Sequence, residues 1–152
     1  MRAGMQDPII TLRNMLEGQL VDKNNVNVPV YTEFGEELLK IVSNKQVWVA
    51  IGLPAGFTPR ETWLSLGGSG YRMYRSWRYP IYIGGWDLES MYKVKAKIME
   101  IIRTQRTSHS AEPEYIEFMY VESVSTEELQ RERTTPPFIM FVITVVMEFL
   151  EL

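Results

Sequence analysis

The densest run of residues able to do chemistry is Tyr71-Arg72-Met73-Tyr74-Arg75-Ser76-Trp77-Arg78-Tyr79, with three arginines, four aromatic rings and no acid. Interleaved arginines and rings can stack on bases and hold phosphates, as in proteins that bind single-stranded nucleic acid. The same residue types are enriched where proteins dock on one another. In a strand, alternation puts Arg72, Tyr74, Ser76 and Arg78 on one face and Met73, Arg75 and Trp77 on the other. The first expectation is an ordinary amphipathic strand. A protein interface comes second, and a ligand or single-stranded nucleic-acid site through Arg72, Arg75, Arg78 and Trp77 comes third.

Other candidates are poorer in chemistry. The single histidine, His109, sits in a Ser/Thr-rich link. Zinc needs three or four ligands, and no cysteine or nearby aspartate accompanies it, so an exposed loop histidine is expected. Gly67-Gly68-Ser69-Gly70 lacks the second glycine of a nucleophile elbow, because Tyr71 stands there, and no Gly-Lys-Ser/Thr follows to make a phosphate loop. It reads as a hairpin tip, where glycine supplies positive φ. Glu36-Glu37 and Glu127-Glu128 are adjacent pairs. Neighbouring side chains on regular structure diverge, so neither pair makes an acid/base dyad. Lys93, Lys95 and Lys97 read as a solvated helix face. No catalytic residue, metal site or cofactor is expected.

Composition bounds the classes. The chain has 152 residues, 45% hydrophobic and 23% charged, with four Trp, eight Tyr and no Cys. That length and balance suit one domain, 1–152, able to bury a core without staples. Disulfide and thiolate chemistry are excluded. The net charge of −3 argues against nonspecific binding along a nucleic-acid backbone. Asp7, Pro8, Arg13 and Glu17 interrupt the apolar run that a signal peptide would need, so none is expected. The most apolar stretch, Phe138 to Met147, is about half of a bilayer span, so no membrane partner is expected.

These residues must be positioned by a small set of elements. Asp7-Pro8 followed by Ile9, Leu12, Leu16 and Leu20 predicts a helix over about 7–20. Val26, Val28 and Val30 alternate as in an edge strand containing Pro29. Residues 35–42 read equally as a helical turn or a strand. Val47 to Ile51 reads as a buried strand, and 53–59 as a loop. Runs at 63–66 and 71–83 flank the glycine tip as a hairpin. Asp87 caps a helix over about 88–104 whose apolar stripe is Leu88, Met91, Val94, Ile98, Ile101 and Ile102. A strand follows over 115–124. The charged segment 125–135, holding Glu127, Glu128, Arg131 and Arg133, reads as a long exposed loop. Phe138 to Leu150 forms a final strand. The expected fold is α+β, a mostly antiparallel sheet packed by two helices.

The last strand is apolar on both faces. Phe138, Met140, Val142 and Val146 share one, and Ile139, Phe141, Ile143, Val145 and Met147 share the other. A solvated antiparallel strand alternates instead. Its second face is therefore covered within the chain, by a second sheet, or by a neighbouring subunit. The last option makes Phe138, Met140 and Phe141 interface candidates.

The order of elements, with an opening helix Asp7–Leu20, a Gly-tipped hairpin entering a second helix at Trp86-Asp87, and a closing strand to Leu152, resembles the tail-completion (tail terminator) proteins of tailed phages and tailed archaeal viruses. The likeness runs over nearly the whole chain as element order rather than as a motif. It implies a structural, non-enzymatic subunit made in the host cytoplasm and carried in the virion tail or neck. Such a subunit forms a homohexameric ring between the tail tube and the neck or head-connector proteins. The only nucleic acid it implies is DNA passing through the lumen. The hairpin tip Gly67, Gly68, Ser69 and Gly70 and the loop residues Glu127, Glu128, Arg131 and Arg133 are then candidate contacts between neighbours.

Overall fold

Local sequence rules decide where each element starts and stops in the computed structural model, which describes residues 8–43, 45–53, 60–65, 71–105, 118–129 and 138–150. Helix α1 covers Pro8–Leu16, with Leu12 and Leu16 fully buried one turn apart. It stops short of Leu20 because a turn intervenes, in which Gly18 adopts φ +80°. The expected cap, Asp7, lies outside the described residues, as do His109 and loop residues 54–59.

The strand expected over 26–30 shrinks to β1, Val30–Tyr31. Asp22 is the cause. Its carboxylate accepts the backbone N–H groups of Asn24 at 2.8 Å and Val26 at 2.9 Å, folding 22–26 into a tight loop with Asn25 at φ +62°. Val26 is thereby turned outward, while Val28 and Val30 remain buried. Segment 35–42 resolves as a helix, α2 (Glu36–Val42), buried through Leu38 and Val42 one turn apart. Among the described residues, three helices therefore pack on the sheet rather than two.

Strands β2 (Val47–Ile51), β3 (Arg60–Ser65) and β4 (Tyr71–Gly85) follow, then helix α3 (Leu88–Thr104) and strands β5 (Phe118–Leu129) and β6 (Phe138–Leu150). The sheet runs β1-β2-β4-β6-β5, with β3 paired to β4 alone. Every pairing is antiparallel except β1 with β2. The 15-residue β4 is shared along one side. Residues 81–85 pair with β2 and 71–76 with β3.

The exposed loop expected over 125–135 begins later than its polarity suggests. Residues 125–129 continue β5 and pair with 138–142 of β6, so Glu127 and Glu128 stand in a strand, opposite Met140 and Ile139. A sheet-edge strand can carry serine, threonine and glutamate and still satisfy its backbone through the ladder.

Both faces of β6 are covered by the chain itself. On one, Phe141, Ile143, Val145 and Met147 join Tyr79, Ile81 and Ile83 of β4 beneath α1 and α3. On the other, Met140 and Val142 join Trp48 and Ala50 beneath Leu38 and Val42 of α2. Phe34 extends that cover by stacking on Tyr82, with ring centroids 3.9 Å apart. Each such buried aliphatic or aromatic side chain contributes about 1.5–3 kcal/mol relative to exposure.

A polar clamp ties the start of α3 to the loop after α1. The buried Ser90 hydroxyl donates to Asp87 Oδ2 at 2.7 Å and accepts the Lys23 N–H at 3.1 Å, and Lys23 Nζ lies 3.2 Å from the same carboxylate oxygen. The Ser90 hydroxyl, aided by Lys23, holds the Asp87 carboxyl below its ordinary 3.8. A depressed carboxylate adds stability that is present above its unfolded pKa and is lost as pH falls through the folded one. Asp87→Asn is expected to melt below the parent at neutral pH, with the gap closing as pH drops below 3.8. Thermal melts from pH 7 to 2.5 check this, and a gap as wide at pH 2.5 as at pH 7 would refute the role given to the charge.

Candidate interaction surface

The arginine–aromatic run divides between the two faces of β4. Trp77 is half-buried, packs against the core under α1 and α3, and stacks on Tyr79 with centroids 6.1 Å apart. Arg78 lies on the opposite face, and its Nε meets Glu122 Oε2 of β5 at 3.0 Å. The bridge crosses β6 at Val146, which lies directly between Arg78 and Tyr120 in the register and is fully buried. Tyr120 closes the other side by donating to Glu148 Oε1 at 3.3 Å. Burial, with the Glu148 carboxylate beside it, raises the Tyr120 phenol above 10.0. The Arg78 charge is thus met inside the chain, and its partner ring Trp77 serves the core.

Arg72, Tyr74 and Arg75 occupy β4 positions opposite Leu64, Thr62 and Glu61 of β3, and Tyr74 and Arg75 also face Leu150 and Phe149 of β6. Phe138 stands opposite Leu129 at the start of β6. Met140 and Phe141 are only 1% and 2% exposed. Of the options for covering this strand, cover within the chain holds at these two positions, under α2 and α3, which corrects their candidacy as interface residues. Gly67, Gly68, Ser69, Gly70, Arg131 and Arg133 lie outside the described residues.

The lysines of α3 are individually committed. Lys93 Nζ donates to the Asp22 carbonyl at 3.0 Å, Lys95 Nζ lies 5.0 Å from the Phe141 ring centre, and Lys97 pairs with Glu100 at 3.8 Å. A shallow groove of about 350 Å³ lies between Gln19, Val21 and the α3 residues Lys93, Ala96, Lys97 and Glu100. Among the described residues no His/Cys/Asp/Glu cluster could hold a metal, and no helix is long and apolar enough to cross a membrane.

A different feature stands out, at the end of the sheet where β4 runs into α3. Ile41, Trp86, Leu88 and Tyr92 are large, apolar and between 45% and 62% exposed. Their neighbours place them at that end. The Trp86 indole Nε1 donates to the Ser43 carbonyl at 2.9 Å, two residues beyond Ile41. Leu88 and Tyr92 are one turn apart on α3, and the Tyr92 ring lies 5.0 Å from that of Phe141. Gln46 fixes the corner, because its carbonyl accepts the N–H groups of both Trp86 and Asp87. The four residues border the same end of the strands and make up its apolar rim, Ile41 on the helix that covers one face of the sheet and Leu88 and Tyr92 on the helix that covers the other.

Sequence reasoning missed this rim. Leu88 fits the spacing of the buried stripe on α3, but as the first residue of the helix it overhangs the sheet end. Ile41 fell in the undecided segment. The available signal was a cluster of four apolar residues beside two helix ends, which becomes meaningful once the two ends are known to meet. The sequence matches no protein-family model and no curated protein.

Proposed function

We propose that the chain is a structural virion subunit, a tail terminator or neighbouring neck protein that forms a ring between the tail tube and the head connector. The observation that carries the reading is the rim. Four large apolar side chains exposed at one end of the sheet suit a surface that other proteins cover. Tryptophan and tyrosine are also the residues that most often dominate such contacts. The order of elements, which resembles that of tail-completion proteins, supports the choice of assembly. The pairing of Arg78 with Glu122 and the seating of Trp77 against the core commit two of the four residues that the nucleic-acid alternative invokes.

Native mass measured over a wide concentration range, at low and moderate salt, tests the proposal. A closed ring is expected, six chains being the most telling number. A heterologous contact must close in this way or run on into filaments. A strict monomer at every concentration would overturn it.

A further inference from the structure

We propose that the ring is closed face to back: the acidic start of α2, residues 33–37, in one copy seats in the groove beside the basic helix α3 of the next. The inference rests on the ring reading and names the contact that closes it.

The sheet separates the two partners. α2 lies over one face, with Leu38 and Val42 on Trp48 and Met140, and α3 lies over the other through Met91, Val94 and Ile98. Each copy therefore presents α2 on one side and α3 on the opposite side, as a head-to-tail contact in a ring requires.

Charge matches the two sides. Glu33, Glu36 and Glu37 stand exposed at the start of α2, and Lys40 is the one base in that helix. α3 carries Lys93, Lys95, Lys97 and Arg103 against Glu89 and Glu100. Glu37 is met by Lys40 and Lys97 by Glu100. Among the described residues, Glu33 and Glu36 have no ion-pair partner, and neither have Lys93 and Lys95. Lys93 is held by neutral oxygens of Asp22 and Asn25, and Lys95 lies over the rings of Tyr92 and Phe141, so neither charge is neutralised. The open part of the α2 face adds Arg78, already paired with Glu122, and Glu148, so that face stays acidic. A two-fold pair of α3 faces, or of α2 faces, would set like charge against like. The acidic-to-basic contact is thereby selected.

The two sides also stand at one level. Trp86 Nε1 bonds the Ser43 carbonyl, so the last turn of α2 and the first turn of α3 share the rim end of the sheet. At about 1.5 Å of rise per residue, Glu37 lies about 6 Å along α2 from Ile41, and Lys93 about 7.5 Å along α3 from Leu88. Copies related by rotation about an axis along the strands keep their levels, which brings the acids to the lysines. There the groove of about 350 Å³ runs past Lys93, Ala96 and Lys97, and the small side chain of Ala96 leaves the room. Ile41 and Leu88 stay at the rim, outside the contact.

Charge reversal tests the contact. One chain carries Glu33→Lys and Glu36→Lys, and the other Lys93→Glu and Lys95→Glu. Each alone is expected to associate about tenfold more weakly than the parent at low salt. Mixed in equal amounts, every junction becomes complementary again, so association returns in even-numbered rings with the two chains alternating. Circular dichroism melts confirm that each variant folds. The chain has no cysteine, so a covalent readout has no background. Gly35→Cys, whose Cβ would meet open space, and Ala96→Cys leave every charge in place. A chain with both is expected to give a ladder of linked copies up to the full ring with a short bifunctional maleimide, while either single variant stays unlinked. Three outcomes overturn the proposal and leave the ring reading standing: reversed chains that fold and assemble as the parent does, intact double-cysteine rings without the ladder, or single variants that link to themselves. Should a reversed chain fail to fold, the ladder decides. A parent that never leaves the monomer overturns both.

Discussion

Gly85→Ala is expected to destabilise the protein by about 2–6 kcal/mol, the sum of one strained backbone conformation and two weakened hydrogen bonds. Gly85 sits at φ +144°, a region that side-chain-bearing residues rarely adopt. A Cβ there would also stand inside contact distance of the Gln46 carbonyl oxygen, and backbone cannot swing away as a side chain can. That same oxygen accepts Trp86 N–H at 2.9 Å and Asp87 N–H at 3.1 Å, so displacing it loosens the whole passage from β4 into α3. Against a total stability of about 5–15 kcal/mol, such a loss leaves many copies unfolded. Thermal melts decide the point, since at this size each kcal/mol lowers Tm by about 2–4 °C. A variant melting with the parent would refute the corner. Gly84 offers the matched comparison. A Cβ there would lie 2.6 Å from Trp48 Cε2, but the obstacle is a side chain. Gly84→Ala is therefore the milder of the two, and its penalty shrinks when Trp48 is also reduced to leucine.

How much of this was open to a reader of the sequence depended on whether one element could declare itself alone. Val47–Ile51, the apolar face of α3 from Met91 to Ile102, and Phe138–Leu150 carry their period or their unbroken apolar run within themselves, and they stand where expected. The failures share a cause, in that a distant partner decided the outcome. Residues 125–129 are as polar as a loop, and they are strand only because β6 supplies a ladder. α2, with seven residues, is too short for its period to be told from a strand, and it holds because Trp48 and Met140 receive Leu38 and Val42. Val26, Val28 and Val30 alternate convincingly, yet the Asp22 carboxylate captures two backbone N–H groups and folds the first of them out of line. Apolarity on both faces of β6 was plain, whereas the identity of what covers each face needed the register.

In the proposed ring, the rim of Ile41, Trp86, Leu88 and Tyr92, at the end of the strands, is taken as the surface that meets whatever lies above or below. Ile41→Lys combined with Leu88→Glu is therefore expected to leave rings intact while weakening their end-to-end association at least about 100-fold, equivalent to about 2.8 kcal/mol. Removing two apolar side chains, each contributing about 1.5–3 kcal/mol when buried, is enough for that. The charges are chosen to spare the fold. A lysine in the last turn of α2 and a glutamate in the first turn of α3 both suit the helix macrodipole. Trp86 and Tyr92 are left alone because they also serve the fold, through Ser43 and Phe141. In the parent, with nothing else to cover the rim, rings are expected to pair as concentration rises, and sedimentation velocity resolves single from paired rings. Paired rings in the variant, at the parent's concentration, would remove the rim from the interface. Monomers with an unchanged melting temperature would mean that the rim itself closes the ring.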